Sequence, residues 1–334
     1  MALHFLRMNA LYPLKFKPVF DDRIWGGEKI RTVMGLDFSP YEKCAEAWVL
    51  SGYESRQTII SNGFLEGNEI NELIEVYMDE LVGEKVFDQT GTVFPLLIKF
   101  IDARDWLSIQ VHPDDDLARK RNMPNGKTEM WYVLEADEKA QLISGFGKKV
   151  TQQQYLQHLQ NKTLPEILNF ERVSAGDVYF MPAGRIHALG PGVLLAEIQQ
   201  TSNATYRIYD WDRVDANGQG RDLHTELALA AIDYNIYPDY KTRYPAQLNG
   251  TSELVSCPYF TTNLVELAQP LQKNYEELDS FVIYLCLEGG MVLKYDWDEK
   301  MQVKKGEVVL IPASMDYVDI YPDGKVKFLE VYIS

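Results

Sequence analysis

Gly176-Asp-Val-Tyr-Phe-Met-Pro182-Ala-Gly184-Arg-Ile-His187 and, later in the chain, Gly306-Glu-Val-Val-Leu-Ile-Pro312-Ala-Ser-Met-Asp-Tyr317 share one spacing: Gly, five residues, then Pro. A strand entered from a Gly turn and left through a Pro-initiated turn has this form, because Gly supplies the turn geometry and Pro cannot continue a ladder. Each copy follows a strand pair, TEMWYVLEADEKAQLISGF (128–146) in the first case and SFVIYLCLEGGMVLKYD (280–296) in the second. Self-similarity of this kind marks a repeated structural unit. In the overlay Tyr317 stands where the first copy has His187, and Val282 falls opposite Glu129.

The runs around the first copy are short, aromatic and β-branched, with Gly, Pro and Asp between them: FPLLIKFIDA (94–103), WLSIQVH (106–112), DVYFMPA (177–183) and VLLAEIQQ (193–200). They predict a mainly β chain, an antiparallel sandwich or barrel. Helical spacing is confined to INELIEVYMDELVG (70–83), TQQQYLQHLQN (151–161, opened by a Thr N-cap) and DLHTELALAAIDY (222–234). The stretch YPAQLNGTSE (244–253) mixes Pro, Asn, Gly and Ser and places a boundary there.

Composition narrows the function classes. The 334 residues are 46% hydrophobic and 25% charged, ordinary for a globular protein of two or three packed units. No run of about 18 apolar residues is present to span a membrane, and MALHFLRMNALYPLKF lacks the continuous apolar region of a signal peptide. Three cysteines, Cys44, Cys257 and Cys286, without paired spacing fit a reducing cytoplasm. A net charge of -16 repels polyanions and argues against nucleic acid as a partner. It also means that any anionic substrate needs a locally basic pocket.

Two of the five histidines stand among other ligand types. In Ser108-Ile-Gln110-Val-His112 the polar residues alternate, so a strand puts Ser108, Gln110 and His112 on one face and Ile109 and Val111 on the other. Glu129 opens a second strand and His187 follows the Pro182 turn. A lone strand histidine is more often a hydrogen-bonded residue than a ligand. Two imidazoles and a carboxylate on neighbouring strands instead make a site for zinc, iron or manganese, which the Gln110 oxygen could complete. A role for Gln110 in orienting a neighbour stays open. His4, His158 and His224 have no such partners and are assigned to surface or capping roles.

The runs FPLLIKFIDARDWLSIQVHPDD, GKTEMWYVLE and MPAGRIHALGPGVLLAEIQQTSNATYRIYDWDR, with RIWGG (23–27) and EAWVLS (46–51) ahead of them, resemble the type I mannose-6-phosphate isomerases in their shorter bacterial form. The likeness spans nearly the whole chain and is strongest over residues 94–213. It implies the cupin fold, a jelly-roll barrel repeat with a catalytic barrel, a degenerate second barrel and a small helical insert. Residues 95–240 would form the catalytic barrel with its insert at 151–170, residues 1–94 would pack on it, and 245–334 would form a metal-free barrel. The resemblance implies one zinc per chain on Gln110, His112, Glu129 and His187, a catalytic arginine at Arg207, a functional Glu197 and a matching lysine at Lys99 as further catalytic candidates, and substrate contacts from Lys127 and Ser108. The eukaryotic forms have HKPE where this chain has GKTE, and SDN ahead of the arginine where it has TSNATYR.

These residues also fit the chemistry directly. Aldose–ketose isomerisation moves a proton between adjacent carbons through an enediol, whose oxygens need electrophiles. Arg207 is one candidate, with a solvent-exposed pairing to Asp210 or Asp212 as its bland alternative. Glu197 or a neutral Lys99 could carry the proton, or Glu197 could serve only as an ion-pair partner. Lys127 and Ser108 could hold the phosphate. Trp25 lines the pocket rim or packs in the core. The expected partner is a small sugar phosphate, with the chain a monomer or homodimer. An iron-dependent oxygenase using the same two-His-one-carboxylate set, or a sugar-binding barrel without turnover, are the competing expectations.

Overall fold

The computed structural model describes residues 10–214, 217–296 and 299–334; His4 lies outside them. Four N-terminal strands are β1 (Leu14–Lys17), β2 (Val19–Asp21), β3 (Glu46–Ser51) and β4 (Ile59–Ile60). The middle of the chain holds β5 (Leu96–Ala103), β6 (Ile109–Val111), β7 (Glu129–Ala136), β8 (Gln141–Phe146), β9 (Leu168–Arg172), β10 (Val178–Met181), β11 (His187–Leu189), β12 (Val193–Gln200), β13 (Tyr206–Tyr209) and β14 (Lys241–Thr242). The last part holds β15 (Gly250–Cys257), β16 (Phe260–Leu267), β17 (Leu271–Asn274), β18 (Val282–Glu288), β19 (Gly290–Tyr295), β20 (Glu299–Lys304), β21 (Val308–Ile311), β22 (Tyr317–Pro322) and β23 (Val326–Tyr332).

These strands form two barrels of parallel construction. The first pairs the sheet β14-β10-β7-β12-β5-β3-β2 with β13-β6-β11-β8-β9; the second pairs β15-β16-β23-β18-β21-β1-β4 with β17-β22-β19-β20. The chain is a mainly β cupin-type protein, with strand pairing antiparallel throughout both barrels. Leu195, Ile101, Trp131 and Val133 of the large sheet meet Leu142 and Leu189 of the small one inside the first barrel. The opposite face of that large sheet, with Ile98, Phe100, Met130 and Ile198, packs on Leu264, Ile283, Leu285 and Leu329 of the second barrel. The large sheets are therefore buried on both faces. This is why β7 and β12 read as near-continuous apolar runs instead of alternating ones.

The repeat seen in the sequence is a repeat of backbone. Gly176 and Gly306 both take positive φ, +88° and +84°, which favours Gly. In the ladder Met181 faces Glu129, and Ile311 faces Val282.

Of the expected N-terminal unit 1–94, the described part, residues 10–94, does not attach to the first barrel alone. β2 and β3 extend its large sheet, but β1 and β4 extend that of the second barrel, with Leu14 opposite Leu310 and Phe16 opposite Ile60. In β1, Leu14 and Phe16 are buried while Lys15 and Lys17 are not, so the strand's apolar face covers an edge that would otherwise be open. The expected helix at 70–83 is Ile70–Val82, opened by the Glu69/Glu72 capping box and broken at Met78, where φ is +45°. The second is Gln152–Gln160, with Thr151 and Gln154 in a capping box. The expected insert at 151–170 ends in strand: β9 begins at Leu168. Of 222–234 only Thr225–Leu229 is α-helical. A hairpin turn of the second barrel reaches the first: Tyr259 donates to Asp115 Oδ2 at 2.7 Å.

Candidate active site

Three neighbouring strands set the candidate metal-ligand positions. Gln110 of β6 faces His187 of β11 on one side and Arg207 of β13 on the other. Residues opposite one another in antiparallel strands share a face, so these three form a row pointing into the barrel. His112, two residues beyond Gln110, points the same way, while Ile109 and Val111 pack outside. Glu129 enters from the large sheet.

The three ionisable side chains converge. His112, Glu129 and His187 are buried and offer ligand atoms within 4.8 Å of one another. His187 Nε2 lies 3.3 Å from Glu129 Oε1, and His112 Nε2 lies 3.5 Å from Glu129 Oε2. Each ring is held from behind. Nδ1 of His112 is 2.7 Å from the Ala204 carbonyl, and Nδ1 of His187 is 2.9 Å from the Arg185 carbonyl. A carbonyl only accepts, so Nδ1 carries the proton and each Nε2 presents its lone pair to the centre. The Gln110 amide completes the group, with Nε2 3.2 Å from His187 Nε2; amide rotation would present its oxygen instead.

A metal fits this arrangement on a direct observation. His112 Nε2 and Glu129 Oε1 are buried without a hydrogen bond among the described residues, and Glu129 Oε2 meets only the Lys127 ammonium as an ion pair. Orphaned polar atoms are costly in an interior, and here they point at one place. Burial, and then the Lys127 ammonium, push His112 down to about 3, so the ring is neutral as a ligand must be. Burial lowers His187 as well. Burial alone would raise Glu129, but Lys127 and His112 outweigh it and hold the carboxyl well below its ordinary range.

A cavity of about 310 Å³ opens above these groups, lined by Gln110, His187, Ser108, Lys99, Lys127, Glu197 and Arg207 among others. Lys127 Nζ is 2.8 Å from Glu129 Oε2. Its charge is thus largely engaged by the Glu129 carboxylate. Lys99 donates to Glu197 Oε1 at 3.1 Å and lies 3.4 Å from Glu46. Burial works against its charge, but Glu197 and Glu46 hold the ammonium above its ordinary value. Lys99 is therefore not a neutral amine here, and the ion-pair role weighed for Glu197 is occupied. Burial and the nearby Glu129 raise Glu197, the direction a proton carrier needs.

Arg207 is not paired with Asp210 or Asp212. Asp210 is taken by Arg213 and Arg221, and Asp212 by Lys162. Arg207 donates from Nη1 to the Asp222 carbonyl, and its Nε has no hydrogen-bond partner among the described residues. Its backbone N–H donates to His224 Nδ1 at 3.1 Å, so His224, at the N-cap position of Thr225–Leu229, turns its ring to brace the strand of the arginine and makes no side-chain cap bond. His158 bonds Thr163 at its helix end, away from the site. Trp25 is both buried in the core and a wall of the cavity.

Glu46, Trp131 and Arg221 were not singled out by residue pattern. Trp131 donates from Nε1 to Glu197 Oε2 at 2.9 Å; its alternation with Glu129 along one strand is the signal that could have exposed it. Glu46 accepts from Trp48 and lies beside Lys99, a pairing invisible before β3 is placed next to β5.

The family profile of the phosphomannose isomerase type I catalytic domain matches residues 13–161, and that of the mannose-6-phosphate isomerase cupin domain matches residues 250–333. Over 310 residues the chain is 33% identical to mannose-6-phosphate isomerase ManA of Bacillus subtilis, covering 91% of this chain and 94% of that one. The mannose-6-phosphate isomerase of Streptococcus mutans serotype c is 33% identical over 305 residues, covering 91% and 93%. The crystal structure of mannose 6-phosphate isomerase from Bacillus subtilis superposes with a TM-score of 0.86 at 31% identity, over 97% of this chain and 100% of that one. With its family's catalytic and cupin domains both matched and its fold shared along almost the whole length, the chain belongs to the type I mannose-6-phosphate isomerases.

Proposed function

We propose that this chain interconverts D-mannose 6-phosphate and D-fructose 6-phosphate through an enediol intermediate. The observation that carries the proposal is the row His187–Gln110–Arg207 across three adjacent strands, which sets the candidate metal-ligand group and a guanidinium without a carboxylate ion pair among the described residues side by side in the lining of one cavity. Gln110, His112, Glu129 and His187 would hold one divalent ion, proposed to be zinc, which would supply Lewis-acid chemistry for the charge that develops in the enediol.

Glu197 is the proposed base. It takes the proton from C2 and returns it to C1, while a hydroxyl proton moves between the two adjacent oxygens. Lys99 and Trp131 fix its two oxygens, so the carboxylate cannot swing away from the reacting carbons. Arg207 stabilises the negative charge that develops on the substrate oxygens, in a cavity whose walls are buried and whose effective dielectric is low. Lys127, held on Glu129, and the Ser108 hydroxyl are the proposed inner substrate contacts. Three unpaired cysteines, two of them buried, support a cytoplasmic setting. No helix among the described residues is long and apolar enough to cross a membrane.

A coupled assay for fructose 6-phosphate, run on the protein as purified, after chelation and after zinc is restored, tests the proposal. Turnover lost with chelator and regained with zinc is the expected result. No turnover in any state, with metal confirmed present, would overturn it and direct the next assays to iron and oxygen.

A further inference from the structure

The phosphoryl group of the proposed substrate is a dianion, and the inner cavity has little charge to spare for it. Lys99 sits between Glu197 and Glu46, and Lys127 sits on Glu129. A dianion beside either lysine would also face those carboxylates. The outer lining is different. Arg207, Arg221, Asn203 and Thr205 belong to the same cavity; the carboxylate beside them, Asp210, is shared by Arg213 and Arg221, so the guanidiniums there outnumber it.

Arg221 is built into place. Its Nε donates to Asp210 Oδ2 at 2.8 Å and its Nη2 to Asp210 Oδ1 at 2.6 Å, while Arg213 shares the same carboxylate. Asp210 is 5% exposed, so the carboxylate holds the guanidinium from behind, with a planar, two-point contact that fixes its direction. Arg207 stands near enough to feel it: burial, then the Arg221 charge, lower the Arg207 guanidinium. Two like charges on one cavity wall, in a chain of net charge -16, are an arrangement that an incoming anion would relieve.

The order of groups matches an open-chain hexose phosphate. The metal-ligand residues come first, Arg207 is the next strand out from Gln110, and Arg221 lies on the loop beyond. A sugar with its first two carbons at the ligands carries its phosphate away from them, toward that loop. We propose that Arg221, oriented by Asp210, binds the substrate phosphate and so sets the preference for phosphorylated over free sugar. The proposal rests on the isomerase reading of the site, with Asp210 as a positioning residue that does not touch substrate.

The test compares wild type with Arg221→Gln and Asp210→Asn, each loaded with metal. R221Q is expected to raise KM for mannose 6-phosphate ~10–100-fold and the inhibition constant of inorganic phosphate in parallel, with kcat within ~threefold. D210N is expected to raise KM by a smaller factor and leave metal content unchanged. Unchanged KM and unchanged phosphate inhibition in folded R221Q would overturn the proposal. If R221Q does not fold, Arg221→Lys keeps the charge but loses the two-point contact; a KM raised ~tenfold supports the assignment and an unaltered KM overturns it. Should wild type turn over no sugar phosphate, the isomerase reading fails separately. Calorimetric binding of inorganic phosphate then decides: weaker binding to the variant than to wild type sustains the anion site, and equal binding sinks it.

Discussion

The two barrels carry the same ladder and treat their buried polar groups in opposite ways. Two residues along from Glu129, Trp131 faces Glu197, which faces Lys99 on its other side. Two residues along from Val282, Tyr284 faces Glu330, which faces Asn263. Glu330 therefore occupies in the second barrel the place Glu197 occupies in the first, and it too is buried. Its oxygens accept from Tyr275 at 2.6 Å and Asn263 at 3.0 Å, with Lys273 at 2.9 Å. At the ligand level the barrels part. Gln110, Glu129 and His187 correspond to Asn274, Val282 and Tyr317, and two residues on from Asn274 stands Glu276, where the first barrel has His112. Tyr317 donates to Glu276 at 2.8 Å, so that pair satisfies itself. At these corresponding positions the second barrel closes its polar groups on one another, whereas the first leaves His112 Nε2 and Glu129 Oε1 without a hydrogen bond among the described residues. A chemical site shows itself as what the interior leaves unsatisfied.

The largest effect that could break this comparison is loss of a ligand. His187→Ala and His112→Ala are each expected to strip the metal and lower kcat/KM by more than ~100-fold, while Tyr317→Ala leaves metal content and turnover as they were. Elemental analysis with steady-state kinetics reads both, and loss of metal in Tyr317→Ala would end the claim that the second barrel has no ligand role. Next comes Arg207→Ala, expected to retain metal and lose ~100–1,000-fold in kcat, the scale of removing one preorganised donor from a developing oxyanion. A variant that loses metal would show that Arg207 holds the ligand strand and not the transition state.

Glu330→Ala sharpens the comparison from the structural side. It removes the acceptor of two buried or half-buried donors and the partner of Lys273, and should cost ~2–4 kcal/mol in urea denaturation with the specific activity of folded protein nearly unchanged. A large activity loss without destabilisation would mean the carboxylate serves the reaction. Lys99 makes a pH prediction. Its folded value is raised above 10.5, so its contribution to stability is fully present below about 10.4 and fades as pH climbs from there toward the folded value. Lys99→Met should flatten that alkaline fall; an identical slope in both proteins would show that the ammonium does not contribute. The smallest effect is expected for Tyr317→His, which should add no second equivalent of metal while Val282 supplies no carboxylate. A second equivalent bound would overturn the reading of Val282 as the missing ligand.

Much of this was determined by the sequence itself. The Gly and Pro spacing sets strand ends through backbone torsion, the alternation of Ser108, Gln110 and His112 sets one face of a strand, and Glu129 and His187 stand beside turns that local chemistry dictates. These are short-range properties, and the candidate metal group of His112, Glu129 and His187 was legible from them together with the family likeness. The tertiary structure decided the rest. Whether Lys127 and Lys99 are free cations depended on Glu129, Glu197 and Glu46, which reach them only across paired strands. Whether Arg207 is spent on Asp210 depended on two other arginines, one brought in by a later loop. The division of the N-terminal strands between two sheets depended on which edges were open. Register, charge pairing and burial are set by groups distant in the chain, and their energies exist only once the strands lie side by side.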